Sequence, residues 1–126
     1  MESPFTVDKF DHFVLHVRDL RKSLAFYSMF NGGVEAPMGA HNTPLPLGPT
    51  TRLLLHHDPD YVSGETHNLN HFALLLESNG DIEKILDYVR SFGAEPFDGP
   101  KDNGRGQMQF RVHDPDGNEI ELRIGT

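Results

Sequence analysis

Two stretches of this chain share a pattern that few folds can use. FDHFVLHV, residues 10–17, and LNHFALLLES, residues 69–78, are each a short apolar run headed by a histidine. The histidines are His12 and His71, 59 positions apart (71 minus 12). Each run is followed by an Asp suited to cap a helix, Asp19 and Asp81, and then by apolar residues at helical spacing. The first helical run, LRKSLAFYSMF, puts Leu20, Leu24, Tyr27 and Phe30 on one side and ends at Asn31-Gly32-Gly33. The second, IEKILDYVRSF, puts Ile82, Ile85, Leu86 and Val89 on one side and ends at Gly93. Strand, capped helix and further strands, written twice, predict an α+β chain made of a doubled unit.

The segments between these runs fit the same plan. Residues 34–50 are rich in proline and glycine and predict mostly loop, with room for one short strand. TRLLLHH, 51–57, reads as a strand, and DPDYVSGETHN, 58–68, as a turn-rich connection. AEPF, 94–97, suits a short strand, and DGPKDNGRG, 98–106, a flexible loop; the glycines of 99–107 suit a lid or an ordinary connector. QMQFRVH, the turn DPDG and NEIELRI then form a closing hairpin. The repeats cover about 9–57 and 69–124 of a single domain, 1–126.

Composition removes several classes of function. With 126 residues the chain can bury a core without staples. It has no cysteine, so disulfides, thiol nucleophiles and zinc–thiolate sites are excluded, and any metal must be held by His, Asp or Glu. A net charge of −8 argues against a nucleic-acid or anionic-membrane partner. MESPFTVDKF lacks a basic-then-apolar signal pattern, so a cytoplasmic protein is the expectation.

Strand periodicity sorts the polar residues. On a strand, residues i, i+2 and i+4 share a face. His12, Val14 and His16 therefore lie opposite Phe13, Leu15 and Val17. His71, Ala73 and Leu75 lie opposite Phe72, Leu74 and Leu76. Glu119, Glu121 and Arg123 lie opposite Ile120, Leu122 and Ile124. Were the polar faces to converge, two imidazoles and a carboxylate would suit a first-row divalent metal with open positions. Surface strands with a solvated polar side give the same pattern, and periodicity does not choose between them.

DHFVLHVRDLRKSLAFY, NHFALLLES and FRVHDPDGNEIEL together resemble the vicinal oxygen chelate superfamily over roughly residues 9–124. That group includes glyoxalase I, extradiol ring-cleaving dioxygenases, fosfomycin-resistance transferases and bleomycin-binding proteins. The resemblance implies two βαβββ units forming a cup-shaped, partly open mixed sheet around one metal. It implies His12, His71 and Glu121 as the ligands, Fe(II) as first choice and Ni, Zn or Mn as alternatives. It implies a small substrate that chelates through two adjacent oxygens, and a homodimer. The bleomycin-binding branch generally lacks these ligands.

Within the superfamily the resemblance is uneven. Glyoxalase I and the methylmalonyl-CoA epimerases expect a carboxylate on the strand answering to TRLLLHH, which carries none. The fosfomycin transferases expect Thr where Val14 stands and Tyr where Arg111 stands. Extradiol dioxygenases place an acid–base His about fifteen residues before the second metal His. That position is His56, with His57 beside it. The expectation is a dioxygenase-like enzyme with His56 as acid–base and His16 and Arg111 contacting substrate. Glyoxalase-like lyase or isomerase chemistry, fosfomycin-type transfer and a ligand-sequestering protein are the rivals. For Arg111 a salt bridge to Glu119 is the competing role, and His56 and His57 equally suit a plain strand end.

Overall fold

The computed structural model describes residues 3–4, 10–62, 71–77 and 81–125. Positions 69 and 70 of the expected strand 69–77, and the connection from 63 on, lie outside them. The chain divides into two compact units, Met1–Asp58 and Pro59–Thr126.

The first unit runs β1 (His12–Val17), α1 (Leu20–Tyr27), β2 (Asn42–Leu47), β3 (Thr51–His57). Its sheet has the order β1-β3-β2, with β1 parallel to β3 and β2 antiparallel to it. The Asp19 side chain accepts the Lys22 backbone N–H at 3.1 Å, which satisfies one open donor of α1. Past α1 the chain tightens into a 3₁₀ turn, Ser28–Asn31, closed by Gly32 at φ 64°. Leu20, Leu24 and Tyr27 are buried as their spacing predicts, and α1 packs against β3. Leu15, Val17, Leu45, Leu47, Leu53 and Leu55 complete the core of this unit. β2 carries Pro44 and Pro46, which lack the N–H a central strand needs, and it sits at a sheet edge.

The second unit runs β4 (His71–Leu76), α2 (Ile82–Arg90), β5 (Phe97–Asp102), β6 (Gln107–His113), β7 (Glu119–Gly125), with sheet order β4-β7-β6-β5. Asp81 caps α2 through the Lys84 N–H at 3.3 Å. Leu86 and Val89 are buried, while Ile82 and Ile85 are half-buried. Phe110, Val112, Ile120, Leu122 and Ile124 form the core from β6 and β7. In the DPDG turn the Asp114 carboxylate accepts the N–H groups of Asp116 and Asn118 at 2.9 and 2.8 Å, so this Asp is turn chemistry.

The fold is the expected α+β doubled unit, with two differences. The first unit has three strands, because residues 32–41 run without strand where the second unit has β5. The segment read as a flexible loop and lid is largely β5 itself. A register shift between Phe97 and Lys101 lets this edge strand absorb Gly99 and Pro100 and still pair with β6. Only 103–106 remains as the turn into β6.

Candidate functional site

Each unit presents one polar sheet face. In the second unit His71 and Glu121 stand on adjacent parallel strands, β4 and β7. His71 is opposite Glu119, and Ala73 is opposite Glu121. In the first unit the same register puts Val14 opposite Leu54. Leu54 thus holds the place that answers to Glu121, so the first unit supplies no matching carboxylate. His56 answers to Arg123, since His16 pairs with His56 as Leu75 pairs with Arg123.

Glu121 is only 3% exposed. Its Oε2 accepts from Arg123 Nε at 2.8 Å and its Oε1 from Gln109 Nε2 at 3.1 Å. Arg111 Nη2 adds charge at 3.6 Å. Burial is the largest single influence on this carboxyl and pushes it up. The hydrogen bond and charge of Arg123, then the charges of Arg111 and His71, together outweigh it and hold the group below the ordinary 4.5. A depressed carboxyl stabilises the fold above its unfolded value, and that contribution is lost as pH falls through the folded value. Metal-free protein is therefore expected to lose stability from Glu121 below about pH 4.5. Arg123→Met lets burial dominate and lifts the folded value above the unfolded one, so this carboxyl no longer loses stability on acidification and instead gains it as pH falls. Urea midpoints between pH 3 and 7 check it; identical acid profiles for the two proteins would refute the assignment.

Arg111 is committed within the protein. Its Nη1 donates to Glu119 Oε2 at 2.9 Å, and its Nε lies 3.5 Å from Asp98 Oδ2. The pairing with Glu119, rather than an open guanidinium, is what β6 and β7 set up by facing Arg111 with Glu121 and His113 with Glu119.

In the first unit His12 Nδ1 lies 2.6 Å from the Asp11 carboxylate, which Arg52 Nη2 also approaches at 3.5 Å. The hydrogen bond with His12 is the main influence that holds Asp11 below the usual carboxylate range. A carboxylate on one imidazole nitrogen leaves the other directed for a metal, the usual outer arrangement of a ligating histidine. His16 and His56 lie side by side, ring centres 4.8 Å apart. His16 Nδ1 is 3.0 Å from Asp58 Oδ2 and His56 Nδ1 is 2.9 Å from Asn42 Oδ1. His57 points from the opposite face of β3, at the end of the apolar row, so His56 is the one that shares a face with His12. The partner of His12 on β3 is Arg52. His56 is four residues further along, a rise of ~13 Å at 3.3 Å per residue. That is a long reach for an acid–base group serving a metal held at His12.

Gln109, Asn42 and Asp58 were not singled out from sequence. Gln109 could have been, because it precedes Arg111 by two residues on the same face. Asn42 and Asp58 lie at strand ends and meet their histidines only through sheet pairing.

Among the described residues no group of three or more His, Asp or Glu side chains is placed to hold a metal ion. The donor set is still chemically suited to one. Glu121 is ionised, and each of its oxygens keeps acceptor capacity beyond the bond it makes. His12 already has its carboxylate partner.

A doubled strand–helix–strand unit with one polar face per sheet defines a class of small α+β proteins. The chain belongs to the Glyoxalase/Bleomycin resistance protein/Dioxygenase superfamily, whose model matches residues 9–122. Solved structures agree on the fold. A glyoxalase/dioxygenase from Nostoc punctiforme is similar at 19% identity and TM-score 0.77, covering 100% of this chain and 97% of its own. An integron cassette protein from V. cholerae has 23% identity and TM-score 0.69, covering 97% and 98%. An antibiotic-binding protein from a Streptomyces species has 24% identity and TM-score 0.66, covering 97% and 99%. No curated protein sequence matches the chain.

Proposed function

We propose that this chain is a divalent-metal-dependent enzyme of the vicinal oxygen chelate type. Its substrate would be a small molecule with two adjacent oxygens. The observation that carries the reading is Glu121, a buried carboxylate kept ionised by Arg123 and oriented through both oxygens, on the strand beside His71. His12, His71 and Glu121 would hold the ion, with Fe(II) first and Ni, Zn or Mn as alternatives. When bound, such an ion supplies Lewis-acid stabilisation to a developing oxyanion. The chain's own residues supply the rest. Arg123 and Gln109 fix the carboxylate, and Asp11 fixes the His12 ring. Leu54 in place of a fourth ligand leaves a three-ligand set with open positions. That set suits ring cleavage by a facial-triad metal better than four-ligand isomerisation. Catechols are therefore the first substrates to assay, although His56 stands far along the sheet from His12.

The rival reading is a protein that binds a small molecule without turning it over. It is favoured by the internal commitment of Arg111 to Glu119, Glu121 and Asp98, which leaves that guanidinium little to offer a substrate. It is also favoured by the likeness to an antibiotic-binding protein.

Elemental analysis of untagged protein purified without oxygen separates the two. About one iron per chain, absent from His71→Ala, with oxygen uptake on catechols, is the expected result. Nickel, zinc or manganese with the same dependence on His71 would redirect the assays to isomerisation. Protein that takes up no metal on reconstitution yet binds a ligand stoichiometrically would overturn the enzyme reading.

A further inference from the structure

Two of the histidines without a place in that metal set, His16 and His56, form a constellation of their own. They are direct partners on the parallel strands β1 and β3, on one face of the first unit's sheet. Each has its Nδ1 against a protein oxygen: Asp58 Oδ2 for His16 at 3.0 Å and Asn42 Oδ1 for His56 at 2.9 Å. A carboxylate and an amide oxygen can only accept. Both Nδ1 atoms therefore carry hydrogen in the neutral rings, and both Nε2 atoms carry the basic lone pair. Asp58 is itself fixed, because its backbone N–H donates to Val17 O at 2.8 Å. A carboxylate or carbonyl behind each imidazole is the arrangement that orients metal-ligating histidines.

The rings are tilted by 49°, and with both Nε2 atoms turned to one point their spacing suits a shared cation. A metal ~2.0–2.1 Å from each Nε2 stands about 3.2 Å from each ring centre, so centres 4.8 Å apart subtend about 100° at the metal. That lies between the octahedral and tetrahedral angles for neighbouring ligands. Imidazole pairs suit nickel, copper and zinc rather than magnesium or calcium.

We propose that His16 and His56 form a second, two-histidine site for a first-row transition dication, with Asp58 and Asn42 holding the rings and water completing the shell. It lies wholly in the first unit and does not depend on His71 or Glu121, so it stands or falls apart from the enzyme reading.

The test titrates Ni²⁺ into the full-length His71→Ala chain by calorimetry. About one Ni²⁺ bound per chain is expected. His16→Gln or His56→Gln added to that background should abolish the binding. Asp58→Ala should weaken it by ~10- to 100-fold, the usual loss when a partner behind a ligating histidine is removed. No Ni²⁺ binding to the parent, or binding unchanged by either His→Gln substitution, would overturn the proposal. Should a variant fail to fold, as judged by circular dichroism and melting without metal, spectra of the parent decide: Ni²⁺ that broadens His12 before His16 and His56 would overturn the proposal. Long-range ¹H–¹⁵N spectra should show both rings protonated at Nδ1. Substoichiometric Ni²⁺ should broaden His16 and His56 before His113. An Nε2–H tautomer at either ring, or equal broadening of His113, would overturn it.

Discussion

Glu121→Gln is expected to abolish binding of the divalent metal proposed for His12, His71 and Glu121, and to lower the proposed turnover more than ~100-fold. Removing a partner behind a ligand already costs about 10- to 100-fold, so removing a ligand's charge costs more. The amide keeps the volume of the carboxylate and can still accept from Arg123. Space and packing are therefore preserved, and charge is what changes. The substitution also leaves Arg123 and Arg111 facing one carboxylate fewer in a place that is 3% exposed. A moderate loss of stability accompanies the loss of metal. Metal content per folded chain, measured with the melting midpoint, distinguishes the two effects. Wild-type metal content in a folded Glu121→Gln protein would remove Glu121 from the ligand set.

Phe110→Ala is expected to cost about 3–5 kcal/mol, the range for deleting a fully buried aromatic ring. Phe110 is at 0% exposure on β6, directly across from Leu122 on β7, with Val112 facing Ile120 two pairs further on. The cavity would open between strands already held by backbone pairing on both sides, so collapse around it is restricted. Leu75→Ala is the internal control. Leu75 is 64% exposed on β4 and should change stability by less than about 0.5 kcal/mol. Urea unfolding of the two variants beside wild type checks the contrast. Equal effects would mean that the core is not centred on β6 and β7.

Both predictions rest on strands whose two faces are readable in the sequence. Alternation assigns Ile120, Leu122 and Ile124 to the core and Glu119, Glu121 and Arg123 to the other side. The structure buries the first set as that alternation requires. Asp19 and Asp81 cap their helices for the same local reason, a side-chain oxygen within reach of an open N–H three residues on. β5 was not legible. Gly99 and Pro100 argue against a strand locally, and only pairing with β6 through a register shift stabilises one there.

The sequence by itself determined the doubled strand–helix plan, the faces of each strand and the residue types open to metal chemistry. All of these follow from contacts within a few positions along the chain. Tertiary structure decided what those side chains meet. It set Leu54 where Glu121 has its counterpart, bound Arg111 to Glu119, clamped Glu121 between Arg123 and Gln109, and brought His16 and His56 together with Asp58 and Asn42. Each of these depends on cross-strand register. Register is fixed by the hydrogen-bond ladder and by core packing between distant segments, and a shift of one residue would turn every one of those side chains to the other face.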